Sequence, residues 1–194
     1  HPGVPQPARP VMQLHLIRHP RPAVEPGICY GQSDVDLAES AIEVAARLKP
    51  LLPPAYIVHA SPLIRARLLA EALGTPTLDE RLKETHFGDW EGRSFESIGT
   101  AIDDWAADPL GFRAPGGESV REMTSRVLHW LSDLQLSEPE DPVVVVAHGG
   151  PLRAIAGHLL GLPPERWLGL DFGCGQVTRL DVESWGVVLR WFNR

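Results

Sequence analysis

The sequence predicts an α/β fold: a three-layer α/β/α sandwich with a mostly parallel central sheet and a C-terminal antiparallel hairpin. Three observations predict it. Strand-like and helix-like segments alternate from residue 13 onward, the pattern of βαβ units. VVVVAH, residues 143–148, is an unbroken run rich in β-branched residues, as a strand covered on both faces requires. GQVTRLDVESWGVVLRWF, residues 175–192, alternates well enough for two paired strands.

Each element has its own signals. Residues 1–12 read as an N-terminal tail: HPGVPQPARPV is proline-rich and lacks the apolar core of a signal peptide, and Met12 lies at or near the natural start. Residues 13–194 read as one domain, long enough to bury a substantial core. The first strand, 13–19, stops abruptly in LIRHP, because Pro20 has no N–H for a sheet ladder. A loop containing PGICYGQSD follows, then a helix in LAESAIEVAARLK that stops at Pro50. AYIVHA is a second, buried strand. In SPLIRARLLAEAL, Ser61 is the expected N-cap, Pro62 the first helical residue, and Gly74 lies just past the end. LKETHFGDWEGRSF is less regular and leads into a short helix at 95–107; PGGES opens a longer one at 118–136. HGGPLRAIAGHLLG carries the chain from the 143–148 strand straight into a helix.

Composition excludes several function classes. A net charge of −7 argues against nonspecific binding to nucleic acid or a membrane surface. No apolar run approaches the ~18 residues of a transmembrane helix. The two cysteines, Cys29 and Cys174, are far apart and in no metal-ligand spacing. They read as free thiols in a reducing compartment, which makes the expected location cytoplasmic. His15 lies four residues before His19, ~13 Å away at strand rise, so the two cannot share a metal. No metal and no cofactor is expected. The oligomeric state stays open.

The strand ends carry the chemistry. In sheets of this kind ligands bind outside the carboxyl ends of the strands, where Arg18-His19 and His148 both fall. A neutral imidazole is a good nucleophile and can carry a phosphoryl group. Phosphoryl transfer mainly needs in-line positioning and positive charge around the equatorial oxygens, and arginine binds phosphate bidentately without losing its proton. His19 is then the candidate nucleophile. Arg18, Arg65 and a protonated His148 form the candidate clamp, with backbone donors from Gly149-Gly150 at a helix N-terminus. Glu84 is the candidate proton donor to the leaving alkoxide, its carboxyl kept protonated by desolvation and the nearby phosphate. Tyr30 and Gln32 sit on a loop that can touch substrate. Glu118 is a further candidate contact, although a carboxylate at a helix N-terminus also favours the helix dipole.

Taken in order, LIRHP, SPLIRAR, LKETHFGDWEG, PGGES and VVVVAHGG resemble the motifs of the histidine phosphatase superfamily, in its phosphoglycerate-mutase-like branch. The resemblance covers about residues 13–162 and implies a metal-independent phosphatase. It implies His19 as the phosphorylated nucleophile beside Arg18, Arg65 as the arginine of the Ser-x-Leu-x-Arg motif, Glu84 as the acid and His148 as the second histidine. ICYGQSDVDL, THFGDWEGRSF and PGGES are most similar to the α-ribazole phosphatases of cobalamin biosynthesis, which implies α-ribazole 5′-phosphate or another small phosphomonoester as substrate. One departure stands out: Pro20 replaces the family's usual glycine and removes a backbone donor. Two alternatives stay open, a phosphoglycerate-mutase-type phosphoryl transfer and a degenerate phospho-ligand-binding protein.

Overall fold

Period-two alternation in the first strand sorts side chains into two cores. In the computed structural model, which describes residues 9–194, this strand is β1 (Met12–Arg18). The tail expected over 1–12 therefore lies mostly outside the described residues, and its last residue, Met12, belongs to the sheet. Leu14 and Leu16 enter one core and Ile17 the other. β4 (Val143–Ala147) repeats the division: Val143 and Val145 face one side, Val144 and Val146 the other, all fully buried.

The helices close the two faces. α1 (Ala41–Leu48) and α2 (Ile64–Leu73) cover one, through Val44, Leu48, Ala66 and Leu69. α5 (Val120–Leu136) and α6 (Gly149–Leu159) cover the other, through Met123, Val127, Leu152 and Ile155. The sheet also holds β2 (Ile57–Ala60), β3 (Pro76–Leu78), β5 (Val177–Val182) and β6 (Val187–Trp191), in the order β3-β2-β4-β1-β5-β6. The pairs β3–β2, β2–β4 and β4–β1 are parallel; β1–β5 and the hairpin β5–β6 are antiparallel. The three-layer sandwich with a mostly parallel sheet and a C-terminal hairpin is therefore the observed fold.

Local details differ from expectation, each for a physical reason. β3 is absent from the sequence reading: it has three residues, starts with proline and lies at the sheet edge, where a missing N–H is tolerated. The helix expected over 95–107 is split into α3 (Phe95–Ile98) and α4 (Ala101–Ala107) at Gly99, whose φ of 68° no helix adopts. Pro50 does not stop α1 outright but sits in a 3-10 turn that extends it. Ser61 is not the cap of α2, nor is Pro62 its first residue. Leu63 stays extended, the helix opens at Ile64, and Asp34 from the preceding loop accepts the Ile64 N–H at 2.7 Å.

Parallel register brings the functional strand ends together. Arg18 of β1 lies opposite Ala147 of β4, and the His19 N–H donates to the Ala147 carbonyl at 3.0 Å. The Ser61 N–H donates to Val146 at 3.0 Å. The residues following β1, β2 and β4 thus share one edge. α5 starts there with a full capping box: Ser119 Oγ accepts the Glu122 N–H and Glu122 accepts the Ser119 N–H. Ser119→Ala removes half of that exchange and is expected to lower the unfolding free energy by about 1 kcal/mol, read from the urea midpoint at unchanged slope.

Candidate active site

His19 is buried just past the end of β1, and its ring Nδ1 lies 2.7 Å from the carbonyl of Pro20. A carbonyl only accepts, so Nδ1 carries the hydrogen and Nε2 keeps its lone pair. Burial, aided by the nearby Arg65 and Arg18 charges, lowers the pKa of His19 from 6.5 to about 3, against a raising contribution from the Pro20 carbonyl. The imidazole is therefore neutral across the physiological range.

Three nitrogen-bearing side chains surround it. The His148 ring lies 5.1 Å from that of His19, centroid to centroid. Burial above all, then the repulsion that protonating both rings would bring and the charges of Arg65 and Arg18, hold His148 well below the usual histidine value. This direction favours the neutral ring in the free site, where the sequence reading expects a protonated one. Its Nε2 lies 2.7 Å from Ser61 Oγ, which also accepts the Leu63 N–H. Arg65 has no exposed surface. Its Nη1 donates to the Ser33 carbonyl at 2.8 Å and its Nη2 to that of Gly31. Arg18 donates to the Phe172 carbonyl at 2.8 Å. Among the described residues neither guanidinium has a carboxylate within ion-pair distance. Arg18 Nε, Arg65 Nε and His148 Nδ1 are buried without a partner among the described residues. The arrangement can bind a small, highly charged anion next to a neutral nucleophilic nitrogen.

Glu84 closes the site from another side. Its carboxylate accepts the Thr85 N–H at 2.8 Å and the Gly150 N–H at 3.1 Å. A Cβ at position 150 would stand 2.3 Å from Glu84 Oε1, so only glycine leaves the carboxylate where it is. Gly149 opens α6, and its N–H has no acceptor within the helix. A chamber of about 550 Å³ opens from Arg18, His19, Arg65 and Glu84 outward past Tyr30. A second cavity of about 420 Å³ lies beyond Glu84, with Arg153 and Trp167 in its wall. Among the described residues no three His, Cys, Asp or Glu side chains gather into a metal-binding group.

The family model described as "Histidine phosphatase superfamily (branch 1)" matches residues 14–194. The chain belongs to this superfamily. It is similar to the glucosyl-3-phosphoglycerate phosphatase of Mycolicibacterium vanbaalenii, 33% identical over 81% of this chain and 78% of that protein. It is also similar to phosphoserine phosphatase 1 of Hydrogenobacter thermophilus, 30% identical over 87% of this chain and 84% of that one. Among solved structures, the α-ribazole phosphatase from Shigella flexneri superposes with a TM-score of 0.86 at 26% identity, covering 94% of this chain and 96% of that one. The chain is thus an enzyme of a phosphatase family, with phosphoglycerate-mutase-like relatives.

Within this histidine phosphatase fold, His19, Arg18, Arg65, His148 and Glu84 lie together, with Gly149 beside them. Tyr30 lines the chamber, its ring 5.0 Å below the Arg65 guanidinium. Gln32 and Glu118, the other candidate contacts, bond to the protein instead of lining either cavity. Gln32 lines neither cavity and donates to the Glu84 carbonyl at 3.1 Å. Glu118 accepts the His86 N–H and pairs with Arg126, which itself ties down the carbonyls of Arg81, Lys83 and Glu84. Both position the segment bearing Glu84.

Two charged residues escaped the sequence reading. Arg153 stands one helical turn after Gly149; a Cβ on Gly149 would meet Arg153 Nη1 at 3.1 Å and Arg18 Cζ at 3.7 Å. Its i,i+4 spacing from Gly149 was the available signal. Glu91 accepts from the Gly31 N–H, the Ser33 N–H, the Ser33 hydroxyl and the Phe87 N–H, and these bonds outweigh burial to hold its carboxyl below the usual range. Nothing in the letters WEG announces that role.

Two outcomes follow. Glu91→Ala is expected to lower stability by roughly 2–3 kcal/mol, because it strands three backbone donors, and to weaken vanadate binding by loosening the loop that aims Arg65. Isothermal titration with vanadate, beside urea unfolding, reads both. The low pKa of His19 also fixes a sign. The unfolded chain takes up a proton near pH 6.5 that the folded site refuses until about pH 3, so stability rises with pH across that window. Urea unfolding between about pH 4 and about pH 7 is expected to show that slope, reduced in His19→Gln; equal slopes would refute a buried neutral His19.

Proposed function

We propose that this protein is a metal-independent phosphomonoesterase that passes the phosphoryl group through His19 Nε2. The observation that carries the reading is the convergence of half-buried Arg18 and buried Arg65 and His148 around a neutral His19, with no carboxylate among the described residues pairing the guanidinia. Such a centre attracts a phosphoryl dianion and stabilises charge on its equatorial oxygens.

The steps follow from the geometry. Nε2 attacks phosphorus in line with the ester oxygen. The P–O bond to the alcohol breaks as the N–P bond forms, and the Glu84 carboxyl gives its proton to the leaving oxygen. The Pro20 carbonyl holds the Nδ1 hydrogen throughout, which favours the positive charge building on the ring. Ser61 accepts from Leu63 and donates its hydroxyl hydrogen to His148 Nε2, so that His148 offers Nδ1–H to the phosphoryl oxygens. Glu84, now ionised, takes a proton from water as that water attacks phosphorus. The N–P bond breaks, inorganic phosphate leaves, and both residues return to their starting state.

The finer assignment is α-ribazole 5′-phosphate or another small phosphomonoester, supported by the superposition on the Shigella flexneri α-ribazole phosphatase. A role in cobalamin assembly in the cytoplasm belongs to the same reading and fits the two free thiols, Cys29 and Cys174. Phosphate release from a panel containing α-ribazole phosphate, 3-phosphoglycerate and p-nitrophenyl phosphate, with EDTA present, tests it. Release is expected to survive the chelator, to yield to vanadate, and to fall by about 10³-fold or more in His19→Ala. Full activity in His19→Ala would sink the mechanism; isomerisation of 3-phosphoglycerate without phosphate release would make the enzyme a mutase.

A further inference from the structure

The loop that leads into β5 holds two guanidinia beside the site. The Leu170 carbonyl accepts from Arg153 Nε at 3.0 Å, and the Phe172 carbonyl accepts from Arg18 Nη1 at 2.8 Å. No helix or strand covers residues 170–176. A carbonyl in such a loop aims a guanidinium only if something else fixes its peptide group.

Asn193, just past β6, supplies that fixing. Its Oδ1 accepts the Gly173 N–H at 3.0 Å, and its Nδ2 donates to the Asp171 carbonyl at 2.7 Å. The Gly173 N–H and the Phe172 carbonyl belong to one planar peptide group and point opposite ways, so holding the first sets the direction of the second. The bond to Asp171 fixes the neighbouring peptide, and one side-chain amide thus grips the backbone on both sides of Phe172. Asn193 is itself anchored. Its N–H donates to Thr178 Oγ1 at 3.1 Å, and Arg194 exchanges backbone bonds with Val177 at 2.7 and 2.9 Å. The Phe192 ring meets that of buried Phe172 at 5.2 Å. The φ of Asn193, 56°, lies in the left-handed region, where asparagine is among the few side chains found readily.

Resting on the phosphoryl-binding centre proposed above, we infer that Asn193 is a positioning residue for anion binding: through the Phe172–Gly173 peptide it aims the Arg18 guanidinium at the phosphoryl oxygens. Asn193 lines neither cavity, so its effect on a bound anion passes through that peptide. Arg18 needs such aim. Its planar fork binds an anion well in few orientations, and among the described residues no carboxylate holds it.

Vanadate affinity, read by isothermal titration in a double-mutant cycle with Arg18→Ala, tests the inference, with urea unfolding beside it. Asn193→Gly keeps the left-handed backbone and removes the amide. It is expected to weaken vanadate about tenfold when Arg18 is present and less than about twofold in Arg18→Ala, where the group it aims is gone. Asn193→Asp keeps the acceptor for Gly173 and serves if the glycine variant does not fold; about a threefold loss is expected, again only with Arg18 present. In turnover, Asn193→Gly is expected to lower kcat/KM by a similar factor for every phosphomonoester, because Arg18 meets the phosphoryl group and not the alcohol. Arg194→Ala leaves the backbone bonds to Val177 in place and is expected to keep wild-type affinity. An amide that only supports the fold gives another pattern: a lower urea midpoint with unchanged vanadate affinity, or equal losses with and without Arg18. Either result overturns the proposal and leaves the phosphatase reading standing. If the wild type binds vanadate but hydrolyses no ester, the hydrolase reading fails and the cycle still decides the role of Asn193. Failure of the wild type to bind vanadate overturns both.

Discussion

A guanidinium that water cannot reach must find its counter-charge inside the protein or in what the protein binds. Among the described residues Arg65 has none at ion-pair distance, and much of the site is arranged around that fact. Its terminal nitrogens are held by the carbonyls of Gly31 and Ser33, dipoles that fix direction without neutralising charge. Those carbonyls stand firm because Glu91 grips the N–H groups of the same two residues. Asp34, next in the loop, accepts the first N–H of α2, the helix that carries Arg65. Loop, helix and charge are one arrangement, and the Phe87 bond of Glu91 extends it towards the segment bearing Glu84. On the proposed reading, the substrate dianion supplies the missing counter-charge.

The sheet provides the other half of the geometry. β4 inserts between β1 and β2, although both precede it in sequence. Parallel strands in register end together, so His19, Ser61 and His148 emerge at one edge from a sheet whose central valines are wholly buried. Packed strands of this kind hold backbone positions far more tightly than a loop could. The bond from His148 to Ser61 then ties two of those strand ends together directly. The two histidine rings meet because of strand order, not because of any local preference.

What could be read from the sequence was whatever is written locally. Alternation, the valine run and the turn residues announced the layers. The two histidines were visible because each directly follows an apolar strand. What escaped reading was tertiary. Asp34 and Ser61 exchange the roles that helix-cap statistics assign, because Leu63 stays extended and delays the helix. Glu118 reads either as a substrate contact or as a helix-dipole partner, and neither reading shows that Arg126, eight residues on, takes its carboxylate. Glu91 and Arg153 act on partners dozens of residues away or across a helix N-terminus. Phe95, Ile102 and Trp105 in the chamber wall come from α3 and α4, whose short irregular segments carry little periodic signal.

Position 20 shows how a departure from a family pattern is absorbed. Read as letters, Pro20 is a lost N–H donor near a phosphate. In the fold, position 20 acts on His19 through its carbonyl, which proline keeps, and the ring's fixed φ restricts where that carbonyl can point. The acceptor sets the Nδ1–H tautomer, and burial keeps Nε2 unprotonated. Readiness of the proposed nucleophile therefore depends on a main-chain oxygen and is indifferent to the missing hydrogen. The missing donor bears instead on anion binding, where Arg18, Arg65, His148 and the first turn of α6 already offer several. A degenerate, binding-only protein drew its support from Pro20 alone, and that support weakens because the proline carbonyl still holds the His19 Nδ1 hydrogen and leaves Nε2 free.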